Sequence, residues 1–139
     1  MPLHFEHVNW LALPVAAAAS FLVGGLWYAV LFGKAWARLH GYDAAALAEM
    51  EKTQGRTFGI FFAVDLVAAL VISLLLGLLP APSLVSGLEL GAILWLGIGL
   101  VETTAQNAAH RRPVAAWAMD ASHQLVSLMV MGAILGAWR

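Results

Sequence analysis

The chain has 139 residues, 62% of them hydrophobic and 11% charged, with a formal net charge of −1. A soluble domain is nearer half apolar and about a quarter charged. This chain lacks the polar side chains to coat a small water-soluble globule, so the bilayer must supply the apolar solvent. The near-neutral charge argues against a nucleic-acid partner. The absence of cysteine removes thiolate catalysis, disulfide exchange, iron–sulfur clusters and cysteine-ligated zinc.

The predicted fold is all-α, a four-transmembrane-helix bundle forming one membrane domain over residues 1–139, with a short interfacial helix between spans one and two. The segment from Met1 to His7 carries no Lys or Arg. It reads as the lead-in to a retained span rather than a cleaved leader. Span one covers about 8–32. Pro14 falls inside it, where a kink is expected. Ala12, Ala16, Ser20 and Gly24 recur every four residues as a smooth strip for a neighbouring helix. Trp27, Tyr28, Phe32 and Trp36 load its far end with aromatics, either as an interfacial belt or as the lining of a site.

Residues 33–56 form the one long polar connection. Asp43 suits the N-cap of a short helix ending near Gly55, with Leu47 and Met50 as its apolar stripe. Span two covers about 57–79, stops at Pro80-Ala81-Pro82 and carries Asp65. Span three covers about 87–106. Ser86 and Glu89 fit a capping box at its start, and Gly87 with Gly91 forms a small-xxx-small pair. Span four covers about 114–138, with Pro113 suited to a first helical position and Gly132 with Gly136 as a second close-packing pair.

The connections after spans one and three carry Lys34, Arg38, Lys52, Arg56, Arg111 and Arg112, whereas the other side has Arg139 alone. The positive-inside rule therefore places these two connections in the cytoplasm and both termini outside it, as expected of a multi-pass membrane protein.

With that orientation, the polar residues of the spans fall at matched depth. Trp27, Tyr28, Asp65, Glu102, Asp120 and His123 all lie roughly 7–14 Å inside the cytoplasmic edge, at about 1.5 Å per residue. Asp120, His123 and Gln124 share one face of span four. Ionisable groups at membrane depth are costly and usually face the bundle interior. Three crowded carboxylates in a low dielectric cannot all be ionised at once, which suits proton transfer with His123 as partner. Asp65, Asp120 and His123 would also make an acceptable divalent-metal set. The plainer alternative is that these groups only hydrogen-bond helix to helix. No haem or flavin motif is present. A bis-histidine haem fits poorly, because His4, His7, His40 and His110 sit at or beyond the membrane edges. No P-loop, dinucleotide fingerprint or nucleophile elbow occurs, and no motif supports an enzyme acting on a lipid-soluble substrate.

At Asn9-Trp10-Leu11, Gly25-Leu26-Trp27-Tyr28 and Leu31-Phe32-Gly33-Lys34-Ala35-Trp36 the chain resembles a bacterial family of small four-helix membrane proteins, domain of unknown function 1761. The similarity extends to the span-four histidine, the Met131 to Gly136 run and Trp138. The resemblance implies a four-span membrane fold and puts Trp27, Tyr28, Lys34, Trp36 and His123 on family motif positions. It brings no activity, substrate or cofactor. Two readings follow. One is an oligomeric proton- or cation-handling transporter or channel-like protein built on the acidic/histidine layer. The other is a non-catalytic accessory subunit docking its glycine strips on a larger membrane complex.

Overall fold

The computed structural model describes residues 4–138. Met1 to Leu3 and Arg139, the lone opposing charge in the orientation count, lie outside the described residues. Four helical stretches are long and apolar enough to cross a membrane: Ala12–Leu31, Gln54–Leu76, Leu84–Ala109 and Val114–Ala137. They pack as an all-α four-helix membrane-spanning bundle, with no strand among the described residues.

The first stretch is α1 (Ala12–Gly25) running into a π-helical segment, Leu26–Leu31. Two short helices follow, α2 (Gly33–Leu39) and α3 (Ala44–Lys52), where one was expected. The second stretch is α4 (Gln54–Leu76). The third is built from α5 (Leu84–Leu94), a second π-helical segment (Trp95–Gly99) and α6 (Leu100–Ala109). The fourth is α7 (Val114–Ala137), unbroken. Connections 32–53 and 110–113 lie at one end, called the basic end below. The terminal end carries the first and last described residues and the turn between α4 and α5.

Local chemistry explains where the helices begin, and it moves several expected boundaries. The first helix starts at Ala12, not near Val8, so Pro14 sits in its first turn. The missing N–H there would have had no helical partner, and no kink is required. Asp43 caps α3 as expected, accepting from the Ala46 amide at 2.8 Å. That helix stops at Thr53 rather than Gly55, and α4 begins at once. The expected Ser86–Glu89 capping box is formed instead by Ser83 and Ser86. Ser83 follows Pro82 in extended backbone, its Oγ accepts from the Ser86 amide, and Ser86 Oγ accepts in return from the Ser83 amide. Pro113 is the N-cap of α7 rather than its first residue.

Helix association in a membrane rests on van der Waals packing rather than hydrophobic transfer, so small residues set how closely backbones approach. The most extensive pair is α5 with α7. A Cβ added at Gly87 would land on the Gly132 carbonyl, and one at Gly136 on the Ser83 carbonyl. A Cβ at Gly91 would sit 2.5 Å from the Leu128 carbonyl oxygen. Both glycine pairs are thus consumed inside the chain, and neither is free to dock a partner. On the other side, Ala12 and Ala16 of α1 are fully buried against Ile72 and Leu76 of α4 and Met131 and Leu135 of α7, and Ala17 is fully buried too. The interior of this terminal half is apolar and tightly packed.

Candidate functional site

Toward the basic end the packing changes character. The span-one strip continues through Ser20 and Gly24, and then the helix widens. The Phe32 amide bonds to the Trp27 carbonyl at 2.8 Å, five residues back, the π-helical pattern that often marks functional positions. Gly33 is needed at its exit, because any side chain there would strike the Tyr28 carbonyl. The chain then reverses into α2, and Gly41, in the left-handed region at φ 73°, ends the reversal. The consequence is that Trp27, Tyr28, Trp36 and His40 all turn toward α7.

They meet Asp120. Its Oδ1 accepts from the Tyr28 hydroxyl at 2.9 Å and from the Trp36 indole N–H at 3.2 Å. Its Oδ2 lies 3.1 Å from His40 Nε2. The His40 side chain is 2% exposed and that of Asp120 24%. His40 Nδ1 in turn lies 2.8 Å from the Trp36 carbonyl oxygen. The rings close over one another: Tyr28 on Trp36 at 5.7 Å, Trp36 on His40 at 4.5 Å and Trp36 on Tyr42 at 5.3 Å. Two further indoles clamp the α7 backbone on either side of Asp120. Trp27 donates to the Met119 carbonyl at 3.1 Å and Trp95, from the second π segment, to that of Ala121 at 2.8 Å. A carboxylate at helix depth with three partners and four indole or phenol groups around it is held in one orientation.

Residues 11–136 match the family described as "protein of unknown function (DUF1761)". The chain belongs to the DUF1761 family. No curated protein and no solved structure matches it. In this DUF1761 chain Trp27, Tyr28 and Trp36 are gathered on Asp120 and its helix, with His123 one turn further along α7.

The structure separates the rest of the polar layer. His123 stacks on Tyr28 at 4.8 Å and on Trp27 at 6.3 Å. Its Nε2 faces Ser127 Oγ at 3.3 Å and the bare backbone of Gly24, where a Cβ would sit 3.3 Å away. Gln124 turns to the other side of α7 and fills the space over Gly99, where Thr103 Oγ1 approaches its carbonyl oxygen at 3.5 Å. Asp65 is half-buried between α1 and α4 and accepts from Ser20 at 3.2 Å. Glu102 is exposed and accepts only from Gln106 on its own helix, at 3.0 Å. Matched depth is therefore not convergence. Depth fixes one coordinate, while the angle around each helix turns Asp65 toward Ser20 and Glu102 outward. No group of three His, Cys, Asp or Glu among the described residues is disposed to hold a metal ion, so the Asp65, Asp120 and His123 metal set is not assembled.

His40 lies outside the four membrane-spanning stretches. The reversal at Phe32–Gly33 and Gly41 then folds it back onto Asp120. A Trp36-x-x-x-His40 spacing, one helix turn, was the available signal.

Proposed function

We propose that this DUF1761 protein is a small proton-handling membrane transporter or channel-like protein, with Asp120 as its proton-binding group. The observation that carries the reading is the Asp120 cluster itself: one intramembrane carboxylate with Tyr28, Trp36 and His40 converging on its two oxygens. An ionisable group at that depth is costly to keep. Helix-to-helix adhesion alone could be served by uncharged serine or threonine. His123 and Tyr28 extend the polar row inward from the basic end, while the interior beyond them is apolar and close-packed.

The six-to-one distribution of Lys and Arg supports a cytoplasmic basic end, both termini outside and residence in a bacterial inner membrane. Large apolar side chains left exposed along the third span, Ile93, Leu96, Ile98 and Val101, suit contact with lipid and with further copies of the chain, and we take the working unit to be a homo-oligomer. The accessory-subunit reading relied on free glycine strips, which are occupied within the chain.

The test is proton flux into sealed vesicles containing the purified protein, followed with an enclosed pH-sensitive dye under an imposed pH gradient. Wild type is expected to dissipate the gradient faster than empty vesicles. Asp120→Asn, which keeps the shape and two of the hydrogen-bond acceptor sites, is expected to return the rate to that of empty vesicles while still unfolding cooperatively. Equal flux in wild type and Asp120→Asn would overturn the proposal.

A further inference from the structure

The hydrogen-bond geometry around His40 counts protons. A carbonyl oxygen can only accept, so the 2.8 Å contact to the Trp36 carbonyl requires a proton on His40 Nδ1. At the other ring nitrogen, Nε2 lies 3.1 Å from Asp120 Oδ2. An unprotonated Nε2 and an ionised carboxylate are both acceptors and repel at that distance. One proton must therefore lie between them, on nitrogen as an imidazolium–carboxylate pair or on oxygen as a neutral acid–imidazole pair. Both arrangements have the same proton count and a net charge of zero.

From this we infer that His40 is a proton-binding residue of the site, sharing one proton with Asp120, and that this proton clamps α2 over the carboxylate. The inference rests on the proton-handling reading of Asp120 and names a second residue and a control element for it. Every group facing the pair is accounted for. Span one supplies the Tyr28 hydroxyl, and α2 supplies Trp36, with Lys34 and Arg38 exposed to solvent. Tyr42 stacks on His40 at 6.1 Å and 9° between ring planes, and α7 supplies His123 one turn away. None of these presents a second hydrogen bond to Nε2 or Oδ2, so none can replace the shared proton.

Release of the proton to the basic end leaves the ring two choices. With Nδ1 still protonated, the Nε2 lone pair opposes the carboxylate. With the proton moved to Nε2, the bare Nδ1 opposes the Trp36 carbonyl. Either way one of the two contacts fails. The Trp36 and His40 bonds to Asp120 are the side-chain hydrogen bonds that tie α2 and its C-cap to α7, and α2 is bounded by the Phe32–Gly33 reversal and left-handed Gly41. Deprotonation therefore loosens α2 and uncovers Asp120, and protonation closes it.

The experiment is nuclear magnetic resonance on the full chain in lipid nanodiscs, with nitrogen-15 in histidine and carbon-13 in aspartate, paired with amide hydrogen exchange of residues 33–41. At the pH where the pair is loaded, His40 Nδ1 is expected to be protonated, with one further proton on Nε2 or on the Asp120 carboxyl. Raising the pH is expected to remove that proton and to lower the protection factors of 33–41 by at least tenfold. In Asp120→Asn the side-chain amide can donate to Nε2 in place of the shared proton while its oxygen still accepts from Tyr28 and Trp36, so protection is expected to stay high and to lose its pH dependence. A neutral His40 carrying its only proton on Nε2, beside an ionised Asp120, would overturn the inference. So would α2 protection that ignores the titration in wild type. Vesicle flux separates the two claims. A shared proton without flux removes the transport reading and leaves the pair. Flux lost in Asp120→Asn with a neutral His40 protonated only on Nε2 beside an ionised Asp120 does the reverse.

Discussion

The two halves of the bundle are held together by different physics. At the terminal end α5 and α7 approach until glycine backbone touches glycine backbone, and α1 presents a row of fully buried alanines. The helix contacts there rest mainly on shape, and no ionisable side chain lies in the buried core between them. At the basic end the helices are joined by side-chain hydrogen bonds that converge on Asp120, two π segments re-aim the indoles, and a histidine shares the carboxylate. The first half is a rigid clamp; the second is a polar cluster whose bonding depends on one proton. A small membrane protein can combine the two because the clamp supplies the stability that a half-buried carboxylate withholds.

The sharpest way to break this contrast is at the clamp. Gly87→Leu would drive a branched side chain into the Gly132 backbone, where no rotamer avoids it. The expected loss is about 3 kcal/mol or more, the upper end for overpacking, seen as loss of the cooperative thermal transition in detergent. Asp120→Ala removes three hydrogen bonds at once. At about 0.6 kcal/mol for each bond inside a membrane protein, it should cost about 2 kcal/mol, with the fold retained by circular dichroism. If Asp120→Ala proves more damaging than Gly87→Leu, the division of labour between the halves is wrong.

Smaller changes sharpen the comparison. Gly24→Ala places a methyl 3.3 Å from His123 Nε2. The imidazole can yield by a few tenths of an ångström, so the cost is expected to be under about 1 kcal/mol, with a clear shift of the His123 ring resonances and little change at His40. The smallest effect is expected at the other histidine–carboxylate pair, His4–Glu6, which is shorter at 2.7 Å but 37% and 66% exposed. The His4 hydrogen bond holds the Glu6 carboxyl below its ordinary value. A depressed carboxylate stabilises the fold above the unfolded value and loses that contribution as pH falls through the folded one. His4→Ala should therefore raise the Glu6 titration midpoint toward the ordinary range. Because both side chains are so exposed, Glu6→Gln should lower the Tm only marginally near neutral pH. Burial, not distance, distinguishes this pair from His40–Asp120.

Most of the fold was legible in the sequence because spans announce themselves by length and apolarity. The four-helix bundle, the Asp43 cap, the glycine pairs as packing surfaces and the DUF1761 family were all readable from local residues. Asp120 was legible as a charge in an apolar helix. What the glycines pack against was not, since Gly87 and Gly132 could as well have faced another protein. The layer of Asp65, Glu102, Asp120 and His123 was read from depth alone, and rotation about each helix axis undid it. The π segments at Leu26–Leu31 and Trp95–Gly99 shift that rotation partway along a span, where a uniform helical period has no means of showing it. His40 escaped notice for a related reason. Its place is set by a chain reversal at Gly33 and Gly41, and its partner is 80 residues away.

The most direct measurement is infrared difference spectroscopy of the reconstituted protein as the pH is stepped, with the Asp120 carboxyl band identified by its loss in Asp120→Asn. A proton-binding Asp120–His40 pair predicts a reversible change in that band, coupled to histidine ring modes that disappear in His40→Gln. A band that stays constant across the whole range in which the bundle remains folded would contradict it and leave Asp120 as a structural anchor for Tyr28, Trp36 and His40.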